Sequence, residues 1–537
     1  MPLSNNSPTT FQSLADVPNR PLLLGILRGI EKEGLRASPA GAIAQTSHPR
    51  RLGSALCHPL ITTDYSEALL EFITPPTHRL DSLFQCLDEI HYVCHVALED
   101  ETLWANSMPC DLAGDASVPI ADYGTSNRGR MKSTYRIGLG HRYGRVMQTV
   151  AGIHYNFSLP HAFWAFLQQL EGSTEDLQDF ISRRYFDLIR NFRRHYWLLI
   201  YLFGASPALG ATFVSGRPHQ LLPLKNNPNT FYLQFATSLR MGDLGYQSSA
   251  QEGLHVCYNS ARSYSQSLVA AINTPYPAYE QIGATSAAGD YNQLNTGLLQ
   301  IENEFYSAIR PKRTAKAGET ALTALCSRGV EYIEIRCLDI NPFEPNGLSK
   351  DQIRFLDAFL LHCLLTPSAG SSSSETLRIL RNQKAVVTRG RDPNLLLEDG
   401  AGVQQPFAQS ALALTQAMEP MARLLDAAHG DSLHLVALQQ QIENIKCPAG
   451  TPSGKVMAAL QASEQSFTEW ALRLSRQHRD GYLRGPAPNV NRRNYFRHLA
   501  EDSLLSQAKE EGEPQQDFAE YLRNYYAQYP VCTGRLA

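Results

Sequence analysis

Arg28-Gly29-Ile30-Glu31-Lys32-Glu33-Gly34-Leu35-Arg36 sets two carboxylates, Glu31 and Glu33, two residues apart in a stretch of strand length. Side chains alternate across a strand, so both acids face the same side of any sheet that contains them. Taken alone, such a pair is what a solvated strand face displays. Downstream, Ile61-Thr62-Thr63-Asp64-Tyr65-Ser66-Glu67-Ala68-Leu69-Leu70-Glu71-Phe72-Ile73-Thr74-Pro75 embeds acids in an apolar run. Glu71 lies between Leu70 and Phe72, where a strand would be buried and an unpaired carboxylate would be costly or neutralised. A bound cation or an arginine resolves that conflict.

Other segments repeat the pattern. In Gly152-Ile153-His154-Tyr155-Asn156-Phe157-Ser158, the polar His154, Asn156 and Ser158 alternate with Ile153, Tyr155 and Phe157. In Glu331-Tyr332-Ile333-Glu334-Ile335-Arg336-Cys337-Leu338-Asp339, Glu334 and Arg336 share a face opposite Ile333, Ile335 and Cys337. Gln300-Ile301-Glu302-Asn303-Glu304-Phe305-Tyr306 reads as a further strand leading into Arg310-Pro311-Lys312-Arg313. One histidine on such a face is ordinarily structural, and one Glu/Arg couple an ion pair. Five strands with the same habit predict a sheet with one polar, concave face. Carboxylates gathered there suit hard divalent cations, which take oxygen ligands and bridge phosphates. Basic residues beside them suit phosphates or a substrate carboxylate. The chain has no GxxxxGK[ST], no GxGxxG opening a helix after a strand, no GxSxG and no HExxH. A nucleotide would therefore be held through metal ions on a sheet.

Around these strands, Asp81 to Glu101 puts Leu83, Leu87, Ile90, Cys94 and Ala97 on one helical stripe. A second helix, capped by Thr174, carries Leu177, Phe180, Ile181, Leu188 and Phe192, with Arg183, Arg184, Arg190, Arg193 and Arg194 on a face expected to be solvated. After Asn341-Pro342-Phe343 the texture changes to long amphipathic helices separated by breakers at 368–374, 447–454 and 485–491, expected to be exposed loops. Glu510 to Glu513 is expected to be a solvated helix face or turn. The predicted organisation is an arm over 1–20, a sheet core over 21–345 and a mainly helical support over 346–537.

The 537 residues are 43% hydrophobic, with 48 Lys+Arg against 51 Asp+Glu and a net charge of -3. Disorder as a main state is excluded, and there is no basic footprint for nucleic acid or an anionic membrane. Small ligands are the expected partners. The opening MPLSNNSPTTFQSLADVPNR lacks a charged start followed by an apolar stretch, so no export signal is expected. Tyr196 to Gly216 is uncharged, yet only Trp197 to Phe203 is densely apolar, which predicts a buried helix end running into a loop rather than a membrane span. Ten scattered cysteines without a CxxC predict neither a zinc site nor a disulfide framework. The expected compartment is the reducing cytoplasm.

The segments RGIEKEGLR, LGSALCHPLITTDYSEALLEFITP, MPC followed by YGTSN, YRIGL, MQTVAGIHYNFSLP, YLFGASPA, ATSLRMGDLGY, LQIENEFYSAIRPKR and GVEYIEIRCLDINPF span residues 21–345. In content and order they resemble the bacterial type of glutamate–cysteine ligase, or gamma-glutamylcysteine synthetase. The resemblance implies an α+β fold of the glutamine synthetase type: an antiparallel sheet curved into a funnel, with helices outside and a helical C-terminal region. It extends to the C-terminal third only in helical texture.

The implied reaction is ATP-dependent. The gamma-carboxylate of glutamate attacks the terminal phosphate of ATP, and the amine of cysteine then displaces phosphate from the gamma-glutamyl phosphate, the first step of glutathione synthesis. Such chemistry asks for positioning and charge neutralisation, not a protein nucleophile. By resemblance, Glu31, Glu33, Asp64, Glu71, His154 and Glu334 are magnesium ligands, with manganese as an alternative, and Glu67 stands behind them. Arg240 receives the glutamate alpha-carboxylate, with Gln148 and Asn156 as neighbours. Arg336 and Tyr306 contact nucleotide and phosphate, Arg136 stabilises the transferring phosphoryl group, and Tyr135 and Tyr246 form the cysteine side. Glutathione is the expected feedback inhibitor, bound in the same cleft, and the chain is expected to be a monomer. The competing possibilities are a related ligase using another amine, a two-metal phosphoesterase and a noncatalytic amino-acid-binding subunit.

Overall fold

The acid-bearing nonapeptide lies in the long strand β1 (Leu27–Ala37), which runs through the middle of a seven-stranded sheet. On one side of β1 lie β3 (Leu69–Ile73) and then β2 (Ile61–Thr63), with the two-residue β4 (Thr102–Leu103) pairing with the end of β1. On the other lie β5 (Ile153–Ser158), β7 (Tyr332–Leu338) and the edge strand β6 (Ile309–Lys312). Every pairing is antiparallel. The structure is a computed structural model and describes residues 12–245, 249–251 and 253–529.

Register turns the alternating sequence into a chemical surface. Glu33 pairs with Glu71, Glu31 with His154, and Glu334 with both Asn156 and Arg310. Directly opposed residues point to the same side of a sheet, so one face collects all these groups. The other face carries Ile30, Tyr155, Phe157, Ile333 and Ile335, all buried. Lys32 and Arg28 are charged exceptions there: Lys32 Nζ lies 2.5 Å from His91 Nε2 on the helix Leu80–Ala97. Behind the sheet, Arg28 pairs with Asp357 at 2.8 Å, and Tyr155 donates its hydroxyl to the same carboxylate at 2.6 Å. Asp357 belongs to the helix Lys350–Leu365, which packs against the helices Phe407–His429 and Leu433–Lys446. The expected antiparallel sheet with outer helices is thus the fold found, joined by a small three-stranded sheet of Ala208–Gly210, Leu222–Leu224 and Asn227–Tyr232.

Several local expectations are corrected. Residues 300–306 form no strand: Glu302–Glu304 is a 3-10 turn, and the edge strand begins at Ile309. Its acids are buried acceptors that fasten the turn, Glu302 from Leu322 N–H and the Tyr529 hydroxyl, Glu304 from Arg142 and the Tyr143 hydroxyl. The second helix starts at Leu177 and is capped by Asp176, not Thr174. Its basic face is not simply solvated, because Arg190 donates to Asp187 and the carbonyls of Tyr258 and Asn259, and Arg194 pairs with Glu375. The 447–454 breaker is no exposed loop: Thr451 caps the helix Pro452–Gln461, and Thr451 and Ser453 are fully buried. Glu510 and Glu511 are tied down as well, Glu510 by Ser126 and Arg128 and Glu511 by the N–H of Thr125.

In the N-terminal arm, residues 12–15 are helical and Leu14 is fully buried. Trp197–Phe203 is a short buried helix, and no helix among the described residues is long and apolar enough to cross a membrane. The nine described cysteines are free thiols, while Cys532 lies outside the described residues.

Candidate active site

The sheet order sorts charge from one edge to the other. Asp64, just past β2, and Glu71 of β3 come first, then Glu33 and Glu31, then His154, then Glu334 with Arg336, and finally Arg310 and Lys312. All of them line one cavity of about 580 Å³. At its centre His154 Nδ1 lies 3.3 Å from Glu31 Oε2 and 3.6 Å from Glu334 Oε1, while Nε2 lies 3.5 Å from Glu33 Oε1. Arg336 donates to Glu334 Oε1 at 3.1 Å, and Lys312 Nζ is 3.5 Å from the same oxygen.

Electrostatics divides the acids in two groups. Burial pushes the Glu334 carboxyl up, but Lys312, Arg336 and His154 together hold it well below the usual carboxylate range. Burial and the charge of Glu334 oppose ionisation of Glu31, yet the His154 hydrogen bond and Lys312 still bring it down. At the acidic edge the balance reverses. Burial, then the charges of Glu31, Asp64 and Glu33, drive Glu71 well above its ordinary value, and burial likewise raises Glu33. Crowded carboxylates of this kind favour an added cation.

The donor set fits a hard divalent ion. Ligand atoms of Glu31, His154 and Glu334 lie within 4.8 Å of one another. Glu334 Oε2 and His154 Nε2 are buried and have no hydrogen-bond partner among the described residues. Buried polar atoms are normally satisfied, so two orphans converging on one cluster of carboxylates mark a place for a ligand.

A second, narrower cavity of about 90 Å³ adjoins the first and shares Glu33, Asp64, Tyr135, Arg136 and Arg336 with it. Arg240, Gln148 and Tyr306 are also in its lining. The buried Arg240 guanidinium donates to the carbonyls of Arg336 at 3.2 Å and Leu338 at 3.4 Å, and Asp339 lies 3.7 Å away. Asp339 is fixed in turn by Ala205 N–H, Ser206 and Ser238. Gly152 makes room for this arginine, since a Cβ there would sit 1.9 Å from Arg240 Nη2. Gln148 donates to the Tyr306 hydroxyl at 3.1 Å, and Arg136 donates to the carbonyl of Asp64.

Of the residues expected from sequence, twelve line these two cavities. Asn156 joins them at a different point from the one expected, because its amide donates to Glu31 Oε1 at 2.8 Å and it does not line the Arg240 cleft. Glu67 accepts from the N–H groups of His48 and Asp122, a tie between loops. Tyr246 lies outside the described residues. Sequence reasoning missed Asp339, Gly152 and Lys132, as well as Tyr521 and Tyr525 of the helix Phe518–Tyr526, which line the larger cavity. The i, i+4 spacing of the two tyrosines was the available signal.

The chain is similar to known proteins over nearly its whole length. Residues 11–386 match the sequence model of the glutamate–cysteine ligase family. The chain is 56% identical over 522 residues to a glutamate–cysteine ligase of Saccharophagus degradans, covering 97% of this chain and 98% of that protein. It is 51% identical over 508 residues to one of Alcanivorax borkumensis, covering 94% and 96%. Among solved structures, a glutamate–cysteine ligase of Francisella tularensis in complex with AMP superposes with a TM-score of 0.88 at 35% identity, over 95% of this chain and 99% of that one.

Proposed function

The chain belongs to the glutamate–cysteine ligase family, and from that premise we propose how its two cavities divide the work of joining L-glutamate to L-cysteine at the expense of ATP. The gamma-carboxylate of glutamate takes the terminal phosphoryl group of ATP, and the cysteine amine displaces phosphate from the acyl phosphate. The observation that carries the assignment is the trio Glu31, His154 and Glu334, two of them buried, with its two unsatisfied atoms. Magnesium, or manganese in its place, would be held there by Glu31, Glu33, Asp64, Glu71, His154 and Glu334, and when bound it supplies charge neutralisation to the phosphates. The AMP complex of the Francisella relative supports an adenine nucleotide as a ligand.

The protein's own groups do the rest. Arg336, Lys312 and Arg310 at the basic edge hold phosphate oxygens. Arg240 takes the glutamate alpha-carboxylate in the narrow cleft, with Gln148 and Tyr306 beside it. The gamma-carboxylate then points toward the wall shared by both cavities, where Arg136 faces the phosphoryl group in transit. Tyr135 lies on that shared wall and, with Tyr246, is assigned to the cysteine side. No cysteine side chain of the protein is needed.

The sheet core over 21–345 is the catalytic unit, and 346–537 supports it. The protein is proposed to act as a cytoplasmic monomer, which sedimentation can test. ADP release measured with glutamate and each of several amines, cysteine and 2-aminobutyrate among them, tests the reaction. ADP formed only when glutamate is present supports the ligase, whereas ATP hydrolysis independent of glutamate would make this a phosphoesterase. A stronger response to an amine unrelated to cysteine would make it a ligase of different specificity. Glutathione reproduces the gamma-glutamyl group and is proposed to inhibit in the same cleft. Inhibition that persists at saturating glutamate would place it elsewhere.

A further inference from the structure

The larger cavity has two chemically different walls. One is the charged sheet face. The other is built around Met131, Ile301, Tyr521 and Tyr525, which pack in one cluster with Phe518 and Leu522, and Arg128, Lys132, Lys316 and Glu319 also line the cavity. Both tyrosines are half-buried, and each ring is braced by an aromatic neighbour. Tyr521 stacks on Phe518 with 6.3 Å between centroids, and Tyr525 meets Tyr526 and Tyr529 edge-on at 5.7 and 6.0 Å.

The helix that carries them is fastened to segments that line the same cavity. Asn127 donates to the Gln516 carbonyl at 2.8 Å, the Tyr526 hydroxyl donates to the Gln300 carbonyl at 2.9 Å, and the Tyr529 hydroxyl donates to Glu302 at 2.6 Å. Gln528 accepts from Thr320 N–H at 3.0 Å and donates to the Gly318 carbonyl at 2.9 Å. The aromatic wall is therefore held in place before any ligand arrives. A ligand matching both walls must present a polyanion to one and a flat, largely apolar ring to the other, which describes a nucleoside triphosphate.

We propose that Tyr521 and Tyr525 receive the purine ring of ATP, so that the C-terminal helix supplies the base-binding part of the site; this rests on the placement of the triphosphate on the sheet face argued above. Aromatic rings stack on any base and discriminate weakly among them. ATP and GTP should accordingly differ little in KM.

The test compares ATP with inorganic tripolyphosphate, which has the charge but no base. Tyr521→Ala and Tyr525→Ala should each raise the KM for ATP roughly tenfold, leaving the glutamate KM and the inhibition constant of tripolyphosphate against ATP within about twofold. Phenylalanine at either position should restore the ATP KM. An unchanged ATP KM in both alanine variants overturns the proposal, and so does a parallel rise in both constants, which would mean general damage to the cleft. If tripolyphosphate fails to compete with ATP in the unaltered protein, the siting of the triphosphate on the sheet fails first, before any tyrosine is changed.

Discussion

Single side chains fix what this sheet face can hold. Glu334 sits at the junction of the acidic and basic halves, within reach of His154, Arg336 and Lys312 at once. Glu334→Gln or Glu31→Gln should keep the fold and lower kcat by several orders of magnitude, because a charge of the proposed cation site is lost. Magnesium-ATP calorimetry should show the matching loss of binding, and near wild-type turnover in either variant would refute the ligand assignment. Arg240 poses a separate question, since its fork is held by two backbone carbonyls and backed by Asp339. Arg240→Lys replaces a two-pronged carboxylate contact by a point charge, a loss of about 1.5–3 kcal/mol, or roughly ten- to a hundredfold in the glutamate KM. The cysteine KM should move much less. Gly152→Ala should reproduce that selective rise, because the new methyl collides with the same guanidinium. A raised ATP KM with unchanged glutamate KM would instead move Arg240 to the phosphate site.

At the scale of elements, β1 serves two faces: its acids open to the cavity, and Arg28 reaches back to Asp357 on the helix Lys350–Leu365. The pair is almost wholly enclosed, with side-chain exposures of 1% and 0%. Breaking a buried pair by deleting one partner leaves an uncompensated charge, so Asp357→Ala should destabilise the fold by about 3–5 kcal/mol, read from urea unfolding. A change below about 1 kcal/mol would show that water reaches the site. The same strand explains what the sequence made legible. Period-two alternation in β1, β5 and β7 named their polar faces correctly, because each strand turns one side to a polar cavity and the other to the core, which keeps the alternation in the sequence. It misled at 300–306, where Glu302 and Glu304 stand two apart for another reason: each is an acceptor for groups distant in the chain. No local pattern encodes such partners. The contacts of Arg190 with the carbonyls of Tyr258 and Asn259 and the clasp of Glu510 on Arg128 were unreadable for the same cause.

For the molecule as a whole, acid sensitivity can be derived from its buried histidines, of which His58 is the clearest. Its Nδ1 accepts from the N–H groups of Leu60 and Ile61 at 3.1 and 2.9 Å, and burial pushes its pKa down to about 4. Between pH 6.5 and about 4 the unfolded chain binds a proton there that the native protein refuses, so stability falls as the pH drops through that window. Relative to His58→Asn, which keeps an acceptor but does not titrate, the native protein should lose about 1.4 kcal/mol per pH unit there and stay level above pH 7. Parallel stability curves in urea would contradict this. The C-terminal third had offered only helical texture, and its closeness to the cavity through Tyr521 and Tyr525 follows from tertiary packing alone. That packing has a consequence in time. The ties from Asn127 to Gln516 and from Glu302 to Tyr529 close loops of several hundred residues, and such closures come late in folding. On the ribosome, β1 to β7 emerge well before residues 516–529, so a nascent chain can assemble its acid-lined sheet while the cavity still lacks a wall. The cavity is therefore completed by residues made long after its sheet, and a chain that stops short of them has the acids without the wall that faces them.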